Sequence, residues 1–158
     1  MKPFLTLIAI FFAIASFAQN QDPLNETVTK EFLILHSGKD YNKALAIAKS
    51  ASTKLGLKMD LRNLKPNKEL GLSDSRSECE GTFGFYPCYV PRGHYEDGSY
   101  ISIEYSSSFL GFKEGYYIVV AASYELGNAQ TKPMLTKAKK IIKDAYVKQS
   151  KVYTGCIH

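Results

Sequence analysis

Hydrophobic and polar positions sort most of this chain into short elements. Residues 115–124 carry Ile118, Val119 and Val120 in a row, then Ala121 and Ala122, with Gly115 in front and Gly127 and Asn128 behind. A β-branched run between turn formers predicts a fully buried strand. Phe32 to Leu35 is a second apolar run, and His36-Ser37-Gly38 behind it reads as a turn. Tyr41, Ala44, Leu45, Ala48, Ser52 and Leu55 then recur at helical spacing, with Lys43, Lys49 and Lys54 off that face. Asp40 is placed to cap the start of this helix and Gly56 to cap its end.

Alternation from Leu57 to Leu61 predicts a return strand, which closes one βαβ unit. Residues 63–81 change character, and Asn63, Pro66, Gly71, Ser73 and Asp74 mark a long surface excursion. Tyr86 to Val90 and Tyr100 to Tyr105 predict two more strands around a loop that contains Asp97-Gly98. In the second of them Tyr100, Ser102 and Glu104 share one face, and Ile101, Ile103 and Tyr105 the other. Leu135, Ala138, Ile142 and Ala145 outline a second helix over residues 133–145, and alternation up to Tyr153 predicts the last strand. The order strand, helix, strand thus occurs twice. It predicts an α+β, ferredoxin-like fold of two βαβ units, both helices on one face of a largely antiparallel sheet, with an inserted disulfide-stapled hairpin.

Composition changes this picture at the N-terminus. Lys2, an apolar run from Phe4 to Phe17, and small residues at Ser16 and Ala18 have the layout of a signal peptide cut after Ala18. Residues 1–18 are therefore expected to be removed, residues 19–30 to form a flexible lead-in, and residues 31–158 to make one domain. The protein is expected to be exported, periplasmic or extracellular, with no stable membrane insertion after cleavage. Hydrophobic residues make up 45% of the chain and charged residues 22%, which is globular rather than disordered composition. The formal charge of +5 falls to +4 without Lys2, an excess mild enough for ordinary solubilising lysines. Those lysines are spread along one helix, and no nucleic-acid partner is expected.

Export also changes the reading of Cys79, Cys88 and Cys156, because thiols oxidise outside the cytosol. Three pairings exist. Cys79 with Cys88 is favoured, since the eight residues between them are rich in Gly and Pro and the link would staple a loop; a bridge from Cys156 to either stays open.

Catalytic chemistry finds little support. His94, Glu96 and Asp97 cluster beside Asp97-Gly98, which reads as a hairpin tip rather than the three or four fixed ligands of a zinc site. Cys88 with His94 could form a thiol nucleophile and base, but a disulfide is the stronger reading. Glu104 and Glu114 are expected to be solvated, and no serine elbow, HExxH, phosphate loop or dinucleotide fingerprint occurs. The chain is therefore read as non-catalytic, without cofactor or metal. Its most distinctive chemistry is the crowd of tyrosines from Tyr86 to Tyr117, whose rings with polar tips make platforms for sugars or protein partners.

Tyr117-Ile118-Val119-Val120-Ala121-Ala122-Ser123-Tyr124, Ala129, the lysine-rich helix and Ala145-Tyr146-Val147-Lys148 together resemble the sporulation-related repeat (SPOR) domain of bacterial envelope proteins. The resemblance spans about 40 residues well and the first half loosely; residues 63–99 are outside the family's pattern. It implies a βαββαβ fold that binds peptidoglycan glycan strands lacking stem peptides through an exposed sheet face. With the tyrosine platform, Tyr89, Arg92, Tyr95, Tyr100, Ser102, Glu104, Tyr117 and Ser123 are the binding residues expected. The alternative is an inhibitor or immunity-type protein that grips a partner enzyme with the loop from Cys79 to Gly98.

Overall fold

A computed structural model describes residues 26–156. The expected leader and residues 19–25 of the lead-in lie outside the described residues. The elements are β1 (Thr27–Gly38), α1 (Tyr41–Leu55), β2 (Lys65–Asn67), β3 (Gly71–Ser73), α2 (Arg76–Phe83), β4 (Gly98–Tyr105), β5 (Tyr117–Glu125), α3 (Thr131–Lys139) and β6 (Tyr146–Tyr153). Four strands form one sheet in the order β4-β5-β1-β6, and every neighbouring pair is antiparallel. It follows that β1 runs parallel to β4, and β5 to β6. The fold is α+β, and both helical crossovers of the main sheet lie over the same face.

On that face Leu33, Leu35, Ile101, Ile103, Val119 and Ala121 meet Ala44, Ala48, Ala51 and Leu55 of α1 and Ala138 of α3. Small residues on α1 let the helix lie close to the sheet. Asp40 caps it, with Oδ1 accepting from the Asn42 and Lys43 amides at 2.8 and 3.2 Å, and Gly56 ends it in the left-handed conformation.

Several elements differ from the sequence expectation. β1 begins at Thr27, so the end of the expected lead-in is strand, paired with β6 from Thr27 opposite Tyr153 onward. Leu57–Leu61 makes a single parallel bridge, Met59 to Ile101, with Asp60 N–H donating to Ile101 O and Ile101 N–H to Lys58 O at 2.8 Å each. It stops there because Arg62 and Asn63 both take positive φ, 51° and 59°, and turn the chain away. The strand that returns beside β5 is β4.

Residues 86–90 are loop, not strand. Pro87 and Pro91 flank Cys88 and lack the amide a ladder needs, and Cys88 N–H is committed to Ser73 Oγ at 3.2 Å. The inserted hairpin is instead the small pair β2–β3, and the excursion after it folds as α2. The second helix stops at Lys139 rather than Ala145, because residues 140–145 turn, with Ala145 N–H donating to Ile142 O, to bring β6 alongside β1. No helix among the described residues is long and apolar enough to cross a membrane.

Candidate functional site

The face of the sheet away from the helices is the one the SPOR resemblance implies should be open. Two segments cover it. Phe109 and Phe112, from the turn after β4, pack on Phe32, Ile34, Ile118, Val120 and Val152. The loop before β4, residues 89–97, crosses the rest.

Its anchor is Arg92, 1% exposed. Arg92 Nε donates to Ser123 Oγ at 3.1 Å, Nη1 to Ser102 Oγ at 3.0 Å and to Tyr100 O at 2.8 Å, and Nη2 to Gly98 O at 2.7 Å. The guanidinium also stacks on the Tyr100 ring, 3.5 Å from its centroid. Beside it is Glu104, which is fully buried. One oxygen, Oε2, accepts from Arg62 Nη2 at 2.5 Å, from the Tyr89 hydroxyl at 2.6 Å and from Arg92 N–H at 3.2 Å. Two segments far apart in sequence, the turn at Arg62 and the loop from Tyr89 to Arg92, therefore converge on one carboxylate.

The electrostatics follow from this enclosure. Burial lowers the Arg62 pKa, but Glu104, Tyr89 and Tyr100 outweigh it and the net shift is upward. Burial draws Arg92 down. Burial, then Glu104, pushes the Tyr89 phenol well above its usual range, and burial pushes Tyr100 up to about 12. Both phenols stay protonated at neutral pH. Tyr89 donates to Glu104, and Tyr100 to Glu96 at 3.0 Å.

The loop is pinned at its far side as well. Lys30 Nζ, on β1, meets Asp97 Oδ2 at 2.7 Å with its side chain 7% exposed. His94, a buried residue rather than part of a solvated tip, has Nδ1 2.5 Å from Tyr153 O on β6. Gly93 (φ +92°) passes so close that a Cβ would come 3.2 Å from the Phe32 ring.

The expected binding residues thus separate. Arg92, Ser102, Glu104 and Ser123 are interior, and Glu104 is ion-paired instead of solvated. Tyr89, Tyr100 and Tyr117 are half-buried, and Tyr95 is 73% exposed. Cys79 and Cys88 form the disulfide, with Cα atoms 5.5 Å apart, and Cys156 is free and exposed. Cys88 therefore cannot serve as a nucleophile. Among the described residues no group of three His, Cys, Asp or Glu side chains is placed to hold a metal ion.

What the disulfide holds outward is a different set. Ser75 caps α2 by accepting from Glu78 N–H at 3.2 Å, and Gly84 ends the helix at φ 76°. Ser73 Oγ and the Asp74 N–H bond to Cys88 N–H and O tie the returning chain to β3 at 3.2 and 3.1 Å. On this frame Leu70, Phe85 and Tyr86 are 39%, 56% and 38% exposed, beside the half-buried Phe83. The Phe83 and Phe85 rings lie 6.0 Å apart, Arg76 sits over the Tyr86 ring at 4.4 Å, and a hollow of about 160 Å³ opens between Leu70, Phe83, Phe85 and Tyr89. Sequence reading missed Leu70 and α2. The helix had a signal in Ser75-x-x-Glu78, a capping-box spacing, but Leu70 offered none. Compared with protein-family models, with curated proteins and with solved structures, the chain matches none.

Proposed function

We propose that this is an exported, non-catalytic protein that binds a partner protein, of the inhibitor or immunity type, through its disulfide-stapled loop. The observation that carries the reading is the exposed Leu70, Phe85 and Tyr86 cluster on a backbone held by a disulfide, a capped helix and the Ser73 to Cys88 hydrogen bond. Aromatic side chains with an adjacent arginine are the residue types that dominate protein interfaces, and a preset loop loses little conformational entropy on binding. The disulfide agrees with an oxidising compartment.

The test is quantitative affinity capture from the native envelope or secreted fraction. Phe85→Asp should abolish retention of a stoichiometric partner, while Leu110→Asp, at an exposed leucine away from the loop, should leave it intact. A partner retained equally by both variants, or none at all, overturns the reading.

A glycan reading keeps support in one place. Tyr105 and Tyr117, ring centroids 5.2 Å apart, line an open groove of about 550 Å³ with Lys39, Asn67 and Lys68 at its rim. Tyrosine faces with cationic and amide neighbours suit a sugar bearing carboxylates. Co-sedimentation with amidase-treated peptidoglycan sacculi tests it: binding that Lys68→Glu abolishes supports this groove, and no binding ends the glycan reading.

A further inference from the structure

Over the helix-side core, the space between α1 and the turn that leads into β6 is not filled. A cavity of about 480 Å³ opens there, a volume typical of small-molecule sites. It follows from the sequence of α1. Ile47, Ser50, Ala51 and Lys54 succeed one another at helical spacing along its wall, and the small Ser50 and Ala51 at the centre leave room that a larger residue would take. Leu35 of β1 and Ile141 and Ile142 of the turn after α3 complete an apolar lining.

Polar side chains, Ser37 and Ser50 among them, make up the rest of the lining. His36 and Tyr146 line the cavity from the sheet, Lys54 from α1 and Asp144 from the turn. His36 Nε2 is buried and has no hydrogen-bond partner among the described residues. Among the described residues neither Lys54 nor Asp144 is ion-paired. The His36 nitrogen lies against Gly38 without accessible surface, so it is not a contact that the cavity offers. Lys43 acts electrostatically on His36 as well, so two lysines stand against the single carboxylate of Asp144.

We propose that this cavity binds a small amphiphile with an aliphatic body and one carboxylate. The chain lies against Leu35, Ile47, Ile141 and Ile142; the carboxylate takes the Lys54 ammonium. No covalent step is involved.

Three probes with one tail and three heads, octanoate, octanol and octylamine, test this by titration into the 15N,13C-labelled protein. Octanoate should bind roughly tenfold more tightly than octanol, the worth of one charge-assisted hydrogen bond. Its binding should shift the His36 ring and the Ile141 and Ile142 methyl signals together. Lys54→Met, at an exposed position, should bring octanoate down to the affinity of octanol and leave octanol unchanged. Equal affinity for all three heads, preference for octylamine, shifts confined to the stapled loop, or no binding by any probe overturns the proposal.

Discussion

On one face of the sheet Leu33, Leu35, Ile101, Ile103 and Val119 meet the alanines of α1; on the other, Phe32, Ile34, Ile118 and Val120 share the interior with Arg92, Glu104, Ser102 and Ser123. The first face is held chiefly by apolar area, which is non-directional and degrades gradually when a methyl group is removed. The second depends on directed bonds inside a low-dielectric enclosure. There the loss of one partner strands several others, and the cost is the desolvation left uncompensated rather than the worth of the bond itself.

Arg92→Met is expected to show this difference most strongly. It orphans the Gly98 and Tyr100 carbonyls and leaves Ser102 and Ser123 without their donor, at a cost of about 3–5 kcal/mol in urea unfolding. A cost no greater than that of a methyl deletion on the helix side would erase the distinction between the faces.

Reduction of Cys79–Cys88 comes next. For a cross-link of sequence separation 9 the chain-entropy argument gives about 2–3 kcal/mol. Because Arg92 and Glu104 anchor the covering loop independently of the disulfide, reduction should loosen residues 74–88 in hydrogen exchange while β4 and β5 stay protected. Exchange spreading into β4 would mean that the staple, not the ion network, closes the face.

Ile101→Val supplies the helix-side comparison, at about 1 kcal/mol by the same denaturation assay. The smallest expected effect is one of pH. Burial, then Lys43, holds His36 below its ordinary 6.5, so the unfolded chain takes up the proton first. This contribution to stability is complete above about pH 6.5 and is lost as pH falls below it, until the folded state also protonates. His36→Gln should flatten that part of the stability profile, as read by thermal melts across pH 5–7.

The helix-side face was legible in the sequence because its signals are periodic and local. The spacing of Ala44, Ala48 and Leu55, the Asp40 cap and Gly56 each identify α1 without reference to anything distant. The alternation of Tyr100 to Tyr105 placed Ile101 and Ile103 correctly together, yet Glu104 was read as solvated and Ser102 as part of an exposed binding face, because alternation separates two faces and does not say what covers the polar one. That cover comes from Arg92 and from Arg62, 42 residues away from Glu104, and a buried arginine has the same local appearance as an exposed one. The alternation of Leu57 to Leu61 was real as packing, since Leu57, Met59 and Leu61 rest on the core, but two backbone bonds and a turn at Arg62 are all that became of the strand. The exposed loop cluster escaped for a related reason: Leu70 and Phe85 are 15 residues apart and meet only because β3, α2 and the disulfide fold the excursion back on itself.

Whether the second face is interior or available to a ligand decides between the partner reading and sheet-face recognition of glycan. Titration of stem-peptide-free glycan strands into the oxidised protein, followed by amide NMR and hydrogen exchange, addresses it directly. The account predicts that Ile101 to Glu104 and Val120 to Ser123 keep their shifts and their slow exchange at saturating glycan. Saturable shifts at Ser102, Glu104 and Ser123, with Arg92 released from them, would contradict it.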